Sequence, residues 1–361
     1  MAYSKTGMRS IGKLGLVAAS VAVGLCISSC NSGGGGGTVN LTGAGSSFVY
    51  PVMTRWIQGY SQTHTNVQIN YQSVGSGAGI QQVKSGTVDF GASDAPLDDT
   101  ALAGMKPVIQ IPESAGPVVI TYNLPALKQP LQISGDTLAA IFIGKVKSWN
   151  DPALVKDNPG VALPNTKVVI VHRADSSGTT NAFTTYLAAV SPEWQNKIGK
   201  GTQVPWPVGL GGKGSEGVTG QVRQTPGAVG YVELTFAAQN KLPMASIGNQ
   251  AHKYVVPGTA STTAAIAAFA DQLTKDPRIP IVNPPASAPD AYPISTLTFL
   301  IIPKDGTDAA KRTALKGFVE YVITDGQATA ATLEYAPLPD AVKSYNQTTL
   351  GQMTTNGQPI P

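Results

Sequence analysis

The sequence comprises 361 residues, of which 42% are hydrophobic and 13% are charged, where about 25% charged residues is usual for a soluble protein. This length suits two or three domains of about 150 residues, and the hydrophobic content excludes a disordered chain. The net charge of +4 includes Lys5, Arg9 and Lys13, and the remaining 22 basic and 21 acidic side chains leave only +1. We therefore expect no nucleic-acid partner of the kind that general basicity attracts.

The N-terminus has the pattern of an export signal. Basic residues up to Lys13 precede an apolar run from Leu14 to Ile27, which is shorter than the about 20 residues of a membrane-spanning helix. The segment from Ile27 to Cys30 resembles the bacterial lipobox, so we expect residues 1–29 to be a lipoprotein signal peptide. Cys30 would then carry a lipid anchor that holds the exported protein at a membrane of the cell envelope. An ordinary secretory signal with incidental cysteines is the alternative.

A glycine-rich tether follows the signal over residues 30–37. Gly33–Gly37 are consecutive glycines without apolar neighbours, a composition typical of a flexible linker. Cys26 and Cys30 are the two cysteines of the sequence, and both precede the body. The body therefore contains no disulfide and no cysteine metal site.

From Val39 onward, short β-rich runs alternate with stretches of helical periodicity. A helix is predicted after Pro51, because Val52, Trp56 and Tyr60 lie on one face of it. The predicted strands are Val39–Thr42, Val67–Tyr71, Val88–Asp94, Val118–Tyr122, Lys167–Val171, Gly230–Val232 and Leu297–Ile302. Strands that alternate with helices predict an α/β fold with mixed, mostly parallel sheets flanked by helices.

The length of the body suits two such α/β lobes. We expect lobe I to comprise residues 38–117 plus 293–361 and lobe II to comprise residues 118–292, with the chain crossing between the lobes near Pro117 and Pro293. Parallel sheets bind ligands where the carboxyl ends of strands lead into helices. The ligand site is therefore predicted at these strand ends, where the clusters of glycine and serine lie.

Three turns of small residues precede predicted helices at such positions. They are Gly43–Phe48, Gly75–Gly79 and Asp175–Thr179. Each presents backbone N–H groups, hydroxyl groups and the positive end of a helix dipole, which together suit an oxyanion. A simple helix cap is the alternative for any one of them. Neither a Walker A motif nor a dinucleotide-binding fingerprint is present, because the glycine spacings and the residue after Lys213 do not fit.

Two charged residues refine this prediction. Arg173 ends a predicted strand and could place its guanidinium on the anion, with Asp175 close enough to orient it. Asp94 also ends a buried strand, and a carboxylate there tolerates only an anion that donates a proton. Hydrogen phosphate does so, whereas sulfate does not. A surface ion pair for Arg173 and a helix cap for Asp94 remain the alternatives.

These motifs resemble the PstS family, the phosphate-binding components of the Pst ABC importer. The matching segments run in family order through nearly the whole body: Gly43–Phe48, Tyr71–Gly77, Val88–Pro96, Ile143–Trp149, Arg173–Thr179, Trp206–Gly214, Pro226–Glu233 and Leu338–Asp340. The resemblance implies a two-lobed periplasmic-binding-protein fold of type II with phosphate buried in the cleft.

The resemblance also implies which residues hold the phosphate. The expected contacts are Ser46, Ser47, Phe48, Ser76, Asp94, Arg173, Ser177, Gly178 and Thr179, with Asp175 and Gly77 next to them. Asp94 is the expected proton acceptor and Arg173 the only charged donor. Neither a metal nor a cofactor is implied.

The hypothesis is therefore a monomeric, extracytoplasmic receptor that binds inorganic phosphate and delivers it to ABC permease subunits with their ATPases. We do not expect an enzyme, because the sequence lacks G-x-S-x-G and its three histidines stand alone. A secreted phosphatase and a phosphate-sensing protein without a transport role are the alternatives.

Overall fold

The computed structural model describes residues 37–360. The predicted signal peptide, most of the tether and Cys30 lie outside the described residues. The strands are β1 (Val39–Gly45), β2 (Val67–Ser73), β3 (Phe90–Ser93), β4 (Val108–Tyr122), β5 (Gln132–Ile133), β6 (Val169–Arg173), β7 (Leu210–Gly212), β8 (Ala228–Glu233), β9 (Ser246–Gly248), β10 (Tyr254–Val255), β11 (Ser295–Pro303), β12 (Asp305–Gly306), β13 (Thr354–Thr355) and β14 (Gln358–Pro359).

Helices alternate with these strands along most of the chain. They are α1 (Tyr50–Thr63), α2 (Ser76–Ser85), α3 (Asp99–Leu102), α4 (Gly135–Phe142), α5 (Pro152–Asp157), α6 (Gly178–Val190), α7 (Pro192–Lys197), α8 (Gly214–Gln224), α9 (Leu234–Gln239), α10 (Thr259–Ala268), α11 (Ala270–Leu273), α12 (Ala309–Ile323), α13 (Gly326–Ala331) and α14 (Asp340–Leu350). No helix within residues 37–360 is both long and apolar enough to span a bilayer.

The main sheet has the strand order β2-β1-β3-β11-β4-β8-β6-β7. On one side of β4, β1 pairs in parallel with β2 and β3, and β11 is inserted antiparallel between β3 and β4. On the other side, β4 pairs antiparallel with β8, and β6 pairs in parallel with β8 and β7. The protein is therefore a two-lobed α/β fold with mixed sheets.

Strand β4 belongs to both lobes. Its residues Val108–Pro117 pair with β11, and its residues Val118–Tyr122 pair with β8. The change of partner falls at Pro117, a residue without an N–H group for a continuous ladder. We refer to the part built on β2, β1, β3 and β11 as the first lobe and to the part built on β8, β6 and β7 as the second lobe.

The predicted helix after Pro51 is confirmed as α1, in which Pro51 lies in the first turn and Trp56 and Tyr60 are buried. Trp56 donates from Nε1 to the carbonyl oxygen of Gly326 at 2.7 Å, which fixes α1 on the start of α13. In the second lobe, the rings of Phe183 and Tyr231 stack with centroids 4.4 Å apart. These aromatic cores hold the helices whose N-termini face the cleft.

The largest difference from the sequence prediction lies in β4. We predicted a strand from Val118, whereas the strand begins at Val108. Two prolines and a buried acid, Glu113, obscured the first half, because such residues are rare inside central strands.

Candidate anion-binding site

Four helix N-termini meet between the two lobes. In the first lobe, Ser46 and Ser47 precede α1 and Ser76 begins α2. In the second lobe, Gly178 begins α6, and Ser215 lies in the first turn of α8. Because each N-terminus carries unpaired N–H groups and partial positive charge, this arrangement suits an anion.

Asp94 lies at the centre of the site and joins the two lobes. Its Oδ1 accepts a short hydrogen bond from the Ser46 hydroxyl, and its Oδ2 accepts one from Thr179 Oγ1 at 3.0 Å. Only 2% of Asp94 is exposed. The next helix, α3, has Asp98 as its N-cap, so Asp94 does not cap the helix that follows it.

Ser76 forms a second connection between the lobes. Its Oγ accepts from the backbone N–H of Gly178 at 3.1 Å and from that of Asp94 at 3.4 Å. A Cβ on Gly178 would lie 2.6 Å from both Cβ and N of Asp94. Glycine is thus required for the approach of α6 to the first lobe. Gly77 is close to the second lobe too, where its N–H donates to the Ser176 carbonyl at 3.0 Å.

Arg173 ends β6 and brings a positive charge to the site. Its Nε and Nη2 donate to the two carboxylate oxygens of Asp175 at 2.8 and 2.6 Å, and Nη1 approaches Thr179 Oγ1 at 3.5 Å. The Arg173 side chain is only 2% exposed, so it is not a surface ion pair. Asp175 also accepts from the N–H of Gly214 at 3.0 Å. This bidentate pairing leaves Nη1 as the donor directed toward Thr179.

The pKa shifts follow from this burial. Desolvation raises the pKa of Asp94 from 3.8 to about 6, against the hydrogen bonds from Ser46 and Thr179 and the charge of Arg173. Burial alone would raise the pKa of Asp175, but the guanidinium of Arg173 outweighs it and holds that pKa below its usual value. Asp94 and Asp175 are therefore both ionised at neutral pH, while Asp94 titrates in mildly acidic solution.

The remaining predicted residues lie at the same place. Phe48 donates its N–H to Ser46 Oγ at 3.0 Å, and its fully buried ring packs edge-on against Tyr335. Ser177 caps α6 by accepting from the N–H of Thr180 at 3.1 Å. All the predicted contact residues are thus brought together at the junction of the lobes.

Two residues of the site, Ser215 and Tyr231, were not predicted from the sequence. Ser215 N–H donates to Ser47 Oγ at 3.0 Å, so α8 supplies a helix N-terminus that we did not predict. The Tyr231 hydroxyl accepts from the N–H of Arg173 at 3.1 Å and lies 2.7 Å from Thr180 Oγ1. The segment from Gly211 to Ser215 carried a signal for the first of these, namely a glycine-rich turn before a helix. Tyr231 carried none, because it lies within a buried strand.

Comparisons with known proteins show the family to which the chain belongs. A family profile described as a PBP superfamily domain matches residues 31–326. The phosphate-binding protein PstS of Xylella fastidiosa is 45% identical over 306 residues, which cover 84% of this chain and 82% of the relative. The chain belongs to the PstS family. The PstS of Haemophilus influenzae is 40% identical over 318 residues, which cover 87% of this chain and 94% of that protein.

Solved structures show the same fold. A structure of a high affinity periplasmic phosphate-binding protein, PfluDING, superposes with a TM-score of 0.67 at 22% identity and covers 86% of this chain and 93% of its own. The two-lobed fold is thus the periplasmic-binding-protein fold implied by the sequence motifs. Within residues 37–360, no group of three or more histidine, cysteine or acidic side chains is placed to hold a metal ion.

Proposed function

We propose that this member of the PstS family is an extracytoplasmic receptor that binds inorganic phosphate at the junction of its lobes and delivers it to an ABC importer. Its relatives are named phosphate-binding proteins, and the site combines helix N-termini, hydroxyl groups and one arginine. The proposed phosphate contacts are Ser46, Ser47, Phe48, Ser76, Asp94, Arg173, Ser177, Gly178 and Thr179, with Asp175 and Gly77 beside them.

The observation that carries this proposal is the buried Asp94 carboxylate among hydrogen-bond donors. A carboxylate facing an anion repels it unless the anion supplies a proton. Hydrogen phosphate carries such a proton at neutral pH and can donate it to Asp94, whereas sulfate would leave two acceptors in contact, without solvent to separate them. The site therefore selects phosphate by its protonation.

We further propose that the receptor works by a hinge motion. Lobe I comprises residues 38–117 plus 293–361 and lobe II residues 118–292, joined by β4 and by the chain that returns to β11. The hydrogen bonds of Asp94 and Ser76 span the two lobes, so closure completes the site. A monomeric receptor in this closed state would dock on permease subunits driven by their ATPases.

The proposed location follows from the N-terminus. Cys30 would be the lipid-bearing residue at a membrane of the cell envelope after removal of residues 1–29. Replacement Cys30→Ser should release the protein from the membrane fraction, and unchanged fractionation would contradict the anchor. The PstS family is a family of binding proteins rather than enzymes, and no contact in the site favours a secreted phosphatase.

Thermal unfolding at pH 8 tests the central proposal. At a concentration of 100 times its Kd, phosphate should stabilise the protein by about 2.7 kcal/mol, whereas sulfate at the same concentration should leave the melting temperature unchanged. Chloride of equal ionic strength is the control. Equal shifts with phosphate and sulfate would contradict the role of Asp94, and no shift with phosphate would contradict the proposed function.

A further inference from the structure

A second buried acid, Glu113, lies two strands from Asp94 in the sheet of the first lobe. Phe299 of β11 pairs with Ser93 of β3 on one side and with Pro112 of β4 on the other, and the two acids directly follow these partners. Glu113 is completely buried, and neither of its carboxyl oxygens forms a hydrogen bond of normal geometry, although the nearby Thr298 hydroxyl partly offsets the effect of burial on its pKa. Burial of a polar group without a partner is costly, and such groups in native proteins call for an explanation. None of the contacts described so far uses Glu113.

The backbone directs Glu113 into this position. Thr298 pairs with Ser114 and Phe299 pairs with Pro112, so Glu113 between them is the extra residue of a β-bulge in β4. Its carbonyl oxygen accepts from Gln327 Nε2 at 2.9 Å instead of from the sheet. Bulges occur often beside functional sites, where they redirect a side chain.

The charges around Glu113 connect it to the site. Burial raises the pKa of Glu113 well above its usual value, and the nearby Asp94 carboxylate raises it further. The other titratable neighbour is Tyr71 on β2, whose hydroxyl donates to the Ser46 carbonyl oxygen at 2.8 Å. Burial likewise raises the pKa of Tyr71, with Glu113 as the next cause, so Tyr71 stays neutral. Asp94 and Glu113 thus form a pair in which hydrogen bonds and Arg173 favour ionisation of Asp94, while Glu113 keeps its proton.

We propose that Glu113 is a further specificity-determining residue. Its proton limits the negative charge close to Asp94, so that the phosphate dianion binds while Glu113 is neutral and is released when Glu113 ionises. The inference rests on the proposed function. It implies that phosphate binding in alkaline solution transfers one proton from the solvent to Glu113, because the two negative charges oppose each other.

Calorimetric titration with inorganic phosphate between about pH 7 and pH 10 tests this role in the wild type and in Glu113→Gln. As Glu113 ionises, the phosphate affinity of the wild type should fall about tenfold for each negative charge on the anion. This is the order expected for buried like charges at an effective dielectric constant of about 20. Glu113→Gln should keep its affinity, since glutamine has the same shape and does not ionise. Titrations in buffers of different ionisation enthalpy should show proton uptake at the alkaline end in the wild type and none in the variant.

Asp157→Asn is the matched control. Asp157 is also buried, but its carboxylate oxygens accept from the N–H and the hydroxyl of Ser134 at 2.8 and 2.9 Å and from the Tyr254 hydroxyl at 2.9 Å. This variant should lose affinity in alkaline solution as the wild type does. If Glu113→Gln has an altered melting temperature, Glu113→Leu provides a second neutral side chain with the same expectation.

The outcomes separate the two proposals. No phosphate binding by the wild type at pH 7 would contradict the proposed function. Binding at pH 7 followed by the same alkaline profile and proton uptake in the wild type and both Glu113 variants would overturn the role of Glu113 alone.

Discussion

Sulfate binding is expected to depend on pH through Asp94. Burial raises the pKa of this carboxyl group from 3.8 to about 6. Below that pH the group is protonated and can donate a hydrogen bond to a sulfate oxygen, whereas above it the carboxylate repels sulfate. The protonated fraction falls about tenfold for each pH unit above the pKa. Since half of the Asp94 side chains are protonated at pH 6 and about 1% at pH 8, sulfate affinity should fall about 50-fold between these pH values.

Calorimetric titration with sodium sulfate at a series of pH values measures this dependence. Sulfate keeps the same charge over the range, so a slope reports on the protein. In Asp94→Asn the amide can donate at every pH, and the profile should be flat with measurable sulfate binding at pH 8. Ser76→Ala is the comparison variant, because it removes a neighbouring hydroxyl and should retain the slope. A wild-type sulfate affinity that is equal at pH 5 and pH 8 would refute the reasoning.

Two further predictions concern closure and stability. Gly178→Ala places a Cβ 2.6 Å from Asp94, so closure is strained and phosphate affinity should fall about tenfold or more. Gly220→Ala, where nothing lies within 4 Å of the added Cβ, should leave the affinity unchanged; equal affinities of the two variants in a titration would contradict the steric argument. Without bound anion, the raised pKa of Asp94 makes the free energy of unfolding depend on pH. The contribution of Asp94 is fully present below about pH 4 and is lost as the pH rises through about 6. Asp94→Asn should accordingly raise the free energy of unfolding at pH 7 by up to about 3 kcal/mol, and a lower melting temperature than the wild type would count against this.

The contacts at the helix starts could be predicted because local rules determine them. Ser46, Ser76 and Gly178 follow strand-like segments and precede helices, so the carboxyl-end rule places them at one edge of a sheet. Arg173 and Asp94 could also be predicted, because a charged residue at the end of a buried strand requires a partner or a ligand that compensates its burial. For these residues, sequence position and spatial position are linked by the regular βα connection.

Ser215 and Glu113 could not be found in this way. The strand before Ser215 is only Leu210–Gly212, with two of its three residues exposed, so it lacks the hydrophobic pattern that marks a strand. Glu113 depends on a bulge, and a bulge arises from the pairing of β4 with β11, which is nearly 200 residues distant in sequence. Local sequence patterns do not indicate such a register shift.

The insertion of β11 between β3 and β4 has a consequence for biosynthesis. The sheet of the first lobe cannot be completed until Ser295–Pro303 has been synthesised, although its other strands end at Tyr122. Most of the polypeptide must therefore emerge from the ribosome before this lobe acquires its native sheet. Such late completion leaves the nascent chain without a finished lobe I for most of its synthesis, a state that suits passage through a translocation channel before folding.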